Sequence, residues 1–323
     1  MRLPHHAEAA LALCCYSFCS ISMILLNKLV LYTYKLNQPN ALLFIQALGS
    51  VALVQAGKRL KLISFPDFSM EVAKNWIILT LLFASMLLTS MKSLYTMSVP
   101  ALTVLKNVAL VLTALGERYF YDRTFPAAQY GAFALIILGG YLNAKGDPWV
   151  SSLGLFWTFL NIASTVSYTL YIKKLTNRFP ELGRYGPVFY NNLLSLPFFF
   201  FLALSEFVPF GEGVARSETG ALVAIIVVTI VSSSMTFCVF WCVAVTSPTS
   251  FSVMGAFNKI PTAIIGMFLF AQYPDGLGYV GLGVALAGSC LYTAVTMHAK
   301  RKERPVEPPT EDIFVKDGTS TRK

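Results

Sequence analysis

VPALTVLKNVAL (residues 99–110) and SPTSFSVMGAFNKIP (residues 247–261) decide the fold of this chain. Each begins near a proline (Pro100, Pro248), is otherwise mostly apolar, and carries an adjacent lysine and asparagine, Lys106–Asn107 and Asn258–Lys259. A cation at bilayer depth costs ~2.5–3.5 kcal/mol on insertion scales, so it is retained for a reason. Lys28 and Lys92 also lie inside apolar stretches, while the 16 carboxylates fall in loops, tails or helix ends. No buried ion pair within the sequence accounts for these four lysines. An anionic solute crossing the membrane does.

Working outward, the 323 residues are 55% hydrophobic and 13% charged. Soluble domains carry roughly 25% charged residues, so the chain reads as an all-α integral membrane protein. Apolar segments near the ~20 residues a spanning helix needs fall at about 7–33, 38–57, 75–97, 100–120, 126–144, 150–172, 185–207, 219–245, 248–271 and 275–299. Ten spans in one domain, 1–299, divide into halves of five, about 1–145 and 150–299. An odd number per half inverts the second half, the plan of transporters whose site lies at the repeat interface. Spans four and nine are then symmetry mates, and Lys106 and Lys259 can face one central cavity. Gly139–Gly140, Gly281, Gly283 and Gly288 suit close helix packing.

The net charge of +9 does not mark a nucleic-acid surface. Most Lys and Arg fall on one side of a ten-span topology, the positive-inside pattern that places both termini in the cytosol. The start lacks a small-residue cleavage site after a short apolar run, so span one is expected to be retained. Cys14, Cys15, Cys19, Cys238, Cys242 and Cys290 lie in apolar helices and read as packing residues. The tail, 300–323, is polar and proline-bearing and is expected to be disordered. Histidines stand only at chain or helix ends, and no nucleophile elbow, phosphate loop or metal motif occurs. That speaks against an enzyme, and no cofactor or metal is expected. Without an intramembrane acid or histidine relay, anion exchange fits better than proton symport.

Polar residues inside the spans cluster. FYNN, Phe189–Asn192, sets two amides beside two aromatics. Amides suit the edge of a nucleobase and the rings its face; the competing reading is amide packing worth about 0.6 kcal/mol per contact. Span eight adds Ser232, Ser233, Ser234 and Thr236, hydroxyls that can instead bond their own backbone. In GAFNKIP, Gly255 permits close approach, Asn258 hydrogen-bonds and Lys259 brings charge. Pro261 cannot bond the carbonyl of Phe257, which is freed. Together they make a coherent anionic-sugar site. Lys28 and Lys92, near span ends, can also snorkel to the interface.

These motifs resemble the nucleotide-sugar transporters of the drug/metabolite transporter superfamily, most closely the GDP-mannose transporter branch. The match spans the ten segments, with FYNN at Phe189–Asn192 and GAFNK at Gly255–Lys259, where the branch has GALNK. Asn27–Lys28, LLFIQ at Leu42–Gln46 and LKN at Leu105–Asn107 support it. The resemblance implies ten helices with cytosolic termini and exchange of cytosolic nucleotide sugar for lumenal nucleoside monophosphate across the Golgi membrane. It assigns guanine to the FYNN asparagines with Phe189 and Tyr190, and a span-eight hydroxyl, here Thr236, to the base. Sugar and phosphates fall to Phe251, Gly255, Ala256, Phe257, Asn258 and Lys259, with Lys106, Asn107 and Tyr16. Fungal members carry tyrosines where this chain has Leu102 and Phe251, so GDP-mannose comes first and GDP-fucose, GDP-arabinose or several GDP-sugars remain open. Other readings are an exchanger of UDP-sugars or sugar phosphates, and a scaffold or receptor with structural lysines. Membrane lipids are expected partners, nucleic acid is not, and a homodimer is left open.

Overall fold

The computed structural model describes residues 5–122, 124–183, 185–217, 219–246, 254–255 and 257–303. Helix α1 (His5–Lys28) runs into a π-helical turn (Leu29–Thr33); α2 (Pro39–Arg59) and α3 (Met70–Thr96) follow. Then come α4 (Val99–Leu105), α5 (Val108–Tyr121), α6 (Ala127–Lys145), α7 (Ser152–Arg178), α8 (Gly186–Ala203) and α9 (Phe207–Arg216). The order closes with α10 (Thr219–Val245), α11 (Lys259–Phe270) and α12 (Gly276–Glu303). Among the described residues there is no strand. Among the described residues six stretches are long and apolar enough to cross a membrane: Ala7–Thr33, Pro39–Arg59, Met70–Thr96, Val99–Tyr121, Gly186–Ala203 and Gly276–Ala299. The chain is thus a multi-pass helical membrane protein.

Helices α6 and α7 fall outside those six, and their buried amides show why. Gln129 donates to Thr296 at 2.8 Å, Asn143 to the Gly278 carbonyl at 2.9 Å and Asn161 to the Met86 carbonyl at 2.8 Å. Such bonds tie helices together where water is absent, and they dilute the apolar run that length and hydropathy alone register. Glycine lets α6 and α12 meet backbone to backbone. A Cβ on Gly139 would stand 2.3 Å from the Ala285 nitrogen, and one on Gly281 2.2 Å from that of Asn143. Gly283 faces open space, so it carries no such duty.

The packing pairs follow a rule. Taking α4 and α5 as segment four and counting the segments one to ten, α2–α8, α4–α11 and α6–α12 join segments five apart. The remaining large pairs exchange under a shift of five: α3–α7 becomes α1–α10, and α2–α10 becomes α3–α8.

Three features depart from expectation. Segment seven does not end in a plain loop: Phe207, Phe210 and Val214, at helical spacing, fold α9 back onto Phe44, Phe200 and Leu36. Glu206, just before α9, reaches across to the N-terminus of α2. Its carboxylate accepts from the Asn40 and Ala41 nitrogens at 2.7 and 3.0 Å and from the Asn40 amide at 2.5 Å. Orphan N–H groups of a helix start are thereby satisfied by charge. Third, α12 continues to Glu303, so the helix takes in the first residues of the expected tail. Residues 304–323 lie outside the described residues. The six cysteines are unbridged, with Cys19 and Cys238 packed Sγ to Sγ at 3.6 Å between α1 and α10.

Candidate functional site

Segment four is not one helix. Lys106 closes α4 and Asn107 opens α5, with the Asn107 nitrogen turned to the Val104 carbonyl at 3.0 Å, a tightened three-residue bond. In segment nine, Asn258 caps α11 and Lys259 is its first residue. The two asparagines share one backbone conformation, φ −66°, ψ −24° at Asn107 and φ −60°, ψ −22° at Asn258. Asparagine side chains compete with the helix ladder, and Pro261 removes a further N–H from the start of α11. The breaks set two half-helix N-termini, with their positive partial charge, beside the two lysines. The equivalence runs through the asparagines: one lysine precedes its asparagine and the other follows.

The ammonium of Lys259 crosses to the other half and donates to the side-chain oxygen of Asn107. That of Lys106 donates to the Ser90 hydroxyl at 2.7 Å. Both partners are neutral, and each lysine keeps part of its surface toward the cavity that both line. The side-chain nitrogens of Asn107 and Asn258 are buried with no hydrogen-bond partner. A buried, unmade bond costs ~1–3 kcal/mol. This end of the site therefore holds two cations and two idle donors, with no carboxylate among the cavity's described lining residues.

The cavity measures about 230 Å³. It is also walled by Asn27 of α1, Gln46 and Ser50 of α2, Asn192 of α8 and Ser232 of α10, with apolar lining from Met23, Phe83 and Leu102. Gln46 donates to the Asn27 oxygen at 2.7 Å, and Asn27 donates to the Met23 carbonyl at 2.9 Å. Asn192 donates to the Val188 carbonyl at 2.9 Å.

FYNN divides. Only Asn192 lines the cavity. Phe189 packs on Phe65 at 5.2 Å between ring centres; Tyr190 stacks on Phe68 at 5.6 Å and accepts from the Ser69 nitrogen at 2.8 Å. Asn191 accepts from the Trp76 indole at 2.9 Å and donates to the Tyr168 hydroxyl at 2.8 Å. Successive helical residues point about 100° apart, so four consecutive side chains cannot face one space. The expected base contacts of Phe189, Tyr190 and Asn191 are thus not assembled in this structure; the three knit α8 to α3 and α7. Asn191→Ala strands the Trp76 and Tyr168 groups and is expected to destabilise the protein by about 2–4 kcal/mol. Asn192→Ala is expected to leave the melting temperature near wild type and to weaken nucleotide binding. Melting curves and binding titrations of the two variants check this, and weakened binding without destabilisation in Asn191→Ala would return it to the ligand.

Lys28 needs a correction. It does not snorkel: fully buried, its ammonium donates to the Leu94 and Met97 carbonyls, both at 2.6 Å, with the Tyr32 ring 4.8 Å away. Those carbonyls belong to the C-terminal end of α3, where a cation is favoured. Its hydrogen-bond partners are therefore main-chain groups of this chain, at a helix end whose partial charge favours it. Lys92 is half-buried on α3, outside the cavity.

Other expected residues scatter. Tyr16 is buried with Cys242 and Met254, its hydroxyl 3.3 Å from where a Cβ on Gly255 would stand, so span one does meet GAFNK. Phe257 is 51% exposed and does not line the cavity. Thr236 lies in α10 with its side chain outside the described residues, as do Phe251 and Ala256 entirely. The sequence brings in Gln46 only through the LLFIQ match, with no site role, and does not mark Ser50, Ser90 or Thr103. The usable signal was the one that found the lysines, polar groups far inside apolar runs.

No family model matches the chain. The GDP-mannose transporter of Schizosaccharomyces pombe is 32% identical, covering 90% of this chain and 87% of its own length. That of Candida glabrata is 30% identical over 90% and 92%, and that of Komagataella pastoris 29% over 94% and 95%. One solved crystal structure superposes with a TM-score of 0.55 at 11% identity, covering 90% of this chain and 99% of that one, and shares the fold.

Proposed function

The chain belongs to the nucleotide-sugar transporters, in the GDP-mannose transporter branch, and from that premise we propose that it exchanges cytosolic GDP-sugar for lumenal GMP. GDP-mannose is the first candidate, the membrane is that of the Golgi, and the mechanism is alternating access. Ten spans with cytosolic termini complete the reading. The shift-of-five packing supports two inverted halves. The chain is a transporter and not an enzyme.

One observation carries the proposal: two ammoniums from opposite halves, with neutral partners, enter one cavity. A diphosphate supplies the charge they lack. Lys106 and Lys259 hold the phosphates, with the idle amides of Asn107 and Asn258 beside them. Gly255 and Tyr16 lie toward the sugar, and Asn192 meets the base. Ala256, Phe251 and Thr236 keep the assignments that the family resemblance gives them.

Leu102 favours a second reading of the sugar. It lines the cavity where the fungal members have tyrosine, and a hydroxyl lost there relaxes the choice among GDP-sugars.

Thermal denaturation of the purified chain with GMP, UMP, CMP and AMP tests the assignment. A ligand at 100 times its dissociation constant stabilises by ~2.7 kcal/mol, and only GMP is expected to do so. Stabilisation by UMP and not GMP would overturn the guanine reading. No stabilisation by any of the four would favour the scaffold.

A further inference from the structure

We propose that Gln46, on α2, reads the base of the nucleotide together with Asn192, on α8. The assignment rests on the guanine-nucleotide reading above and deepens it.

It follows from where each amide spends its hydrogens. An amide offers an NH₂ that donates and a carbonyl oxygen that accepts. Gln46 commits its nitrogen to Asn27, and Asn27 is held in turn by the Met23 carbonyl. Asn192 commits its nitrogen to Val188, one turn back on its own helix. Both side chains are more than nine-tenths buried, and both border the cavity. Each is left with an unpartnered carbonyl oxygen, beside the second hydrogen of its NH₂, and among the described residues no donor reaches either oxygen. The helices α4 and α11 supply the same cavity with the ammonium donors of Lys106 and Lys259.

The cavity is therefore polarised, donors along α4 and α11 and acceptors along α2 and α8, both pairs packed helix to helix. A ligand matching it has an anion at one end and adjacent N–H groups at the other. Guanine fits, because its pairing edge carries N1–H and the 2-amino group side by side. Uracil offers one N–H flanked by two carbonyls, and two protein oxygens would face those carbonyls unbonded. Asn27 acts as a positioning residue, holding the Gln46 amide so that its oxygen is the atom presented.

Affinities of the purified full-length protein for GMP, UMP, IMP and 1-methyl-GMP test this. IMP lacks the 2-amino group, and 1-methyl-GMP lacks N1–H. The wild type is expected to bind each analogue about ten- to a hundredfold more weakly than GMP, the effect of leaving a buried acceptor unpaired. In Gln46→Met, nearly isosteric but without the acceptor, at least one of these two preferences is expected to fall to near unity. A side chain that only packs would not single out one functional group of the base. Gln46→Glu keeps an acceptor and adds charge, which strengthens such bonds, so its preference for GMP is expected to widen. If Gln46→Met retains both preferences, the assignment fails; should that variant not fold, an unwidened preference in Gln46→Glu overturns it. Wild-type protein binding UMP as well as GMP would instead sink the guanine reading itself.

Discussion

Lys259→Met and Lys106→Met are each expected to lose GDP-mannose/GMP exchange in proteoliposomes by about 100-fold or more, while the empty proteins melt at or above the wild-type temperature. A unit charge pair 4 Å apart is worth about 4 kcal/mol at an effective dielectric of 20, so removing one ammonium from a phosphate readily accounts for that loss. Stability should move the other way. In the empty protein the two cations share one cavity and rest on a serine hydroxyl and an asparagine oxygen, so neutralising either relieves repulsion and an insertion cost of ~2.5–3.5 kcal/mol. Freed of Lys259, Asn107 loses one bond to a charged donor, ~1.5–3 kcal/mol, which the relieved repulsion and insertion cost together offset. If these lysines were structural, the signs would reverse, with lower melting temperatures and exchange largely kept. Melting curves of empty variants read beside exchange rates separate the two.

Legibility in the sequence followed the reach of each signal. Apolar runs extend over twenty residues, and among the described residues six of the expected segments are long and apolar enough to cross a membrane. The paired Lys and Asn placed two cations at one cavity, and in the structure each asparagine opens a half-helix. FYNN was read as a unit because its residues are adjacent. Adjacency on a helix scatters side chains around the axis, and only Asn192 meets the cavity. Gln46 carries no site role beyond the LLFIQ match because a lone amide in a membrane helix is ordinarily packing; its meaning lies in which of its two ends Asn27 occupies, a tertiary fact. Helix α9 was missed because ten residues with Phe207, Phe210 and Val214 are too few to register as a span and too apolar for a loop. Lys28 shows the limit most plainly. Its partners are main-chain carbonyls, and a carbonyl leaves no letter in a sequence.

That partner choice predicts the opposite behaviour for Lys28. In Lys28→Met, the carbonyls of Leu94 and Met97 lose their donor at a buried helix end, and the Tyr32 ring loses the cation beside it. Hydrogen bonds to a charged group are worth ~1.5–3 kcal/mol each. Set against the insertion cost the substitution removes, the net destabilisation is expected to be about 2 kcal/mol. The melting temperature should fall, while GMP affinity stays within about twofold of wild type, a free-energy change under ~0.5 kcal/mol, because Lys28 does not line the cavity. An unchanged melting temperature with lost GMP binding would instead make Lys28 a third anion ligand. The same Lys-to-Met change would then have one sign at Lys106 and Lys259, whose charge awaits a solute, and the other at Lys28, whose charge joins α1 to the end of α3.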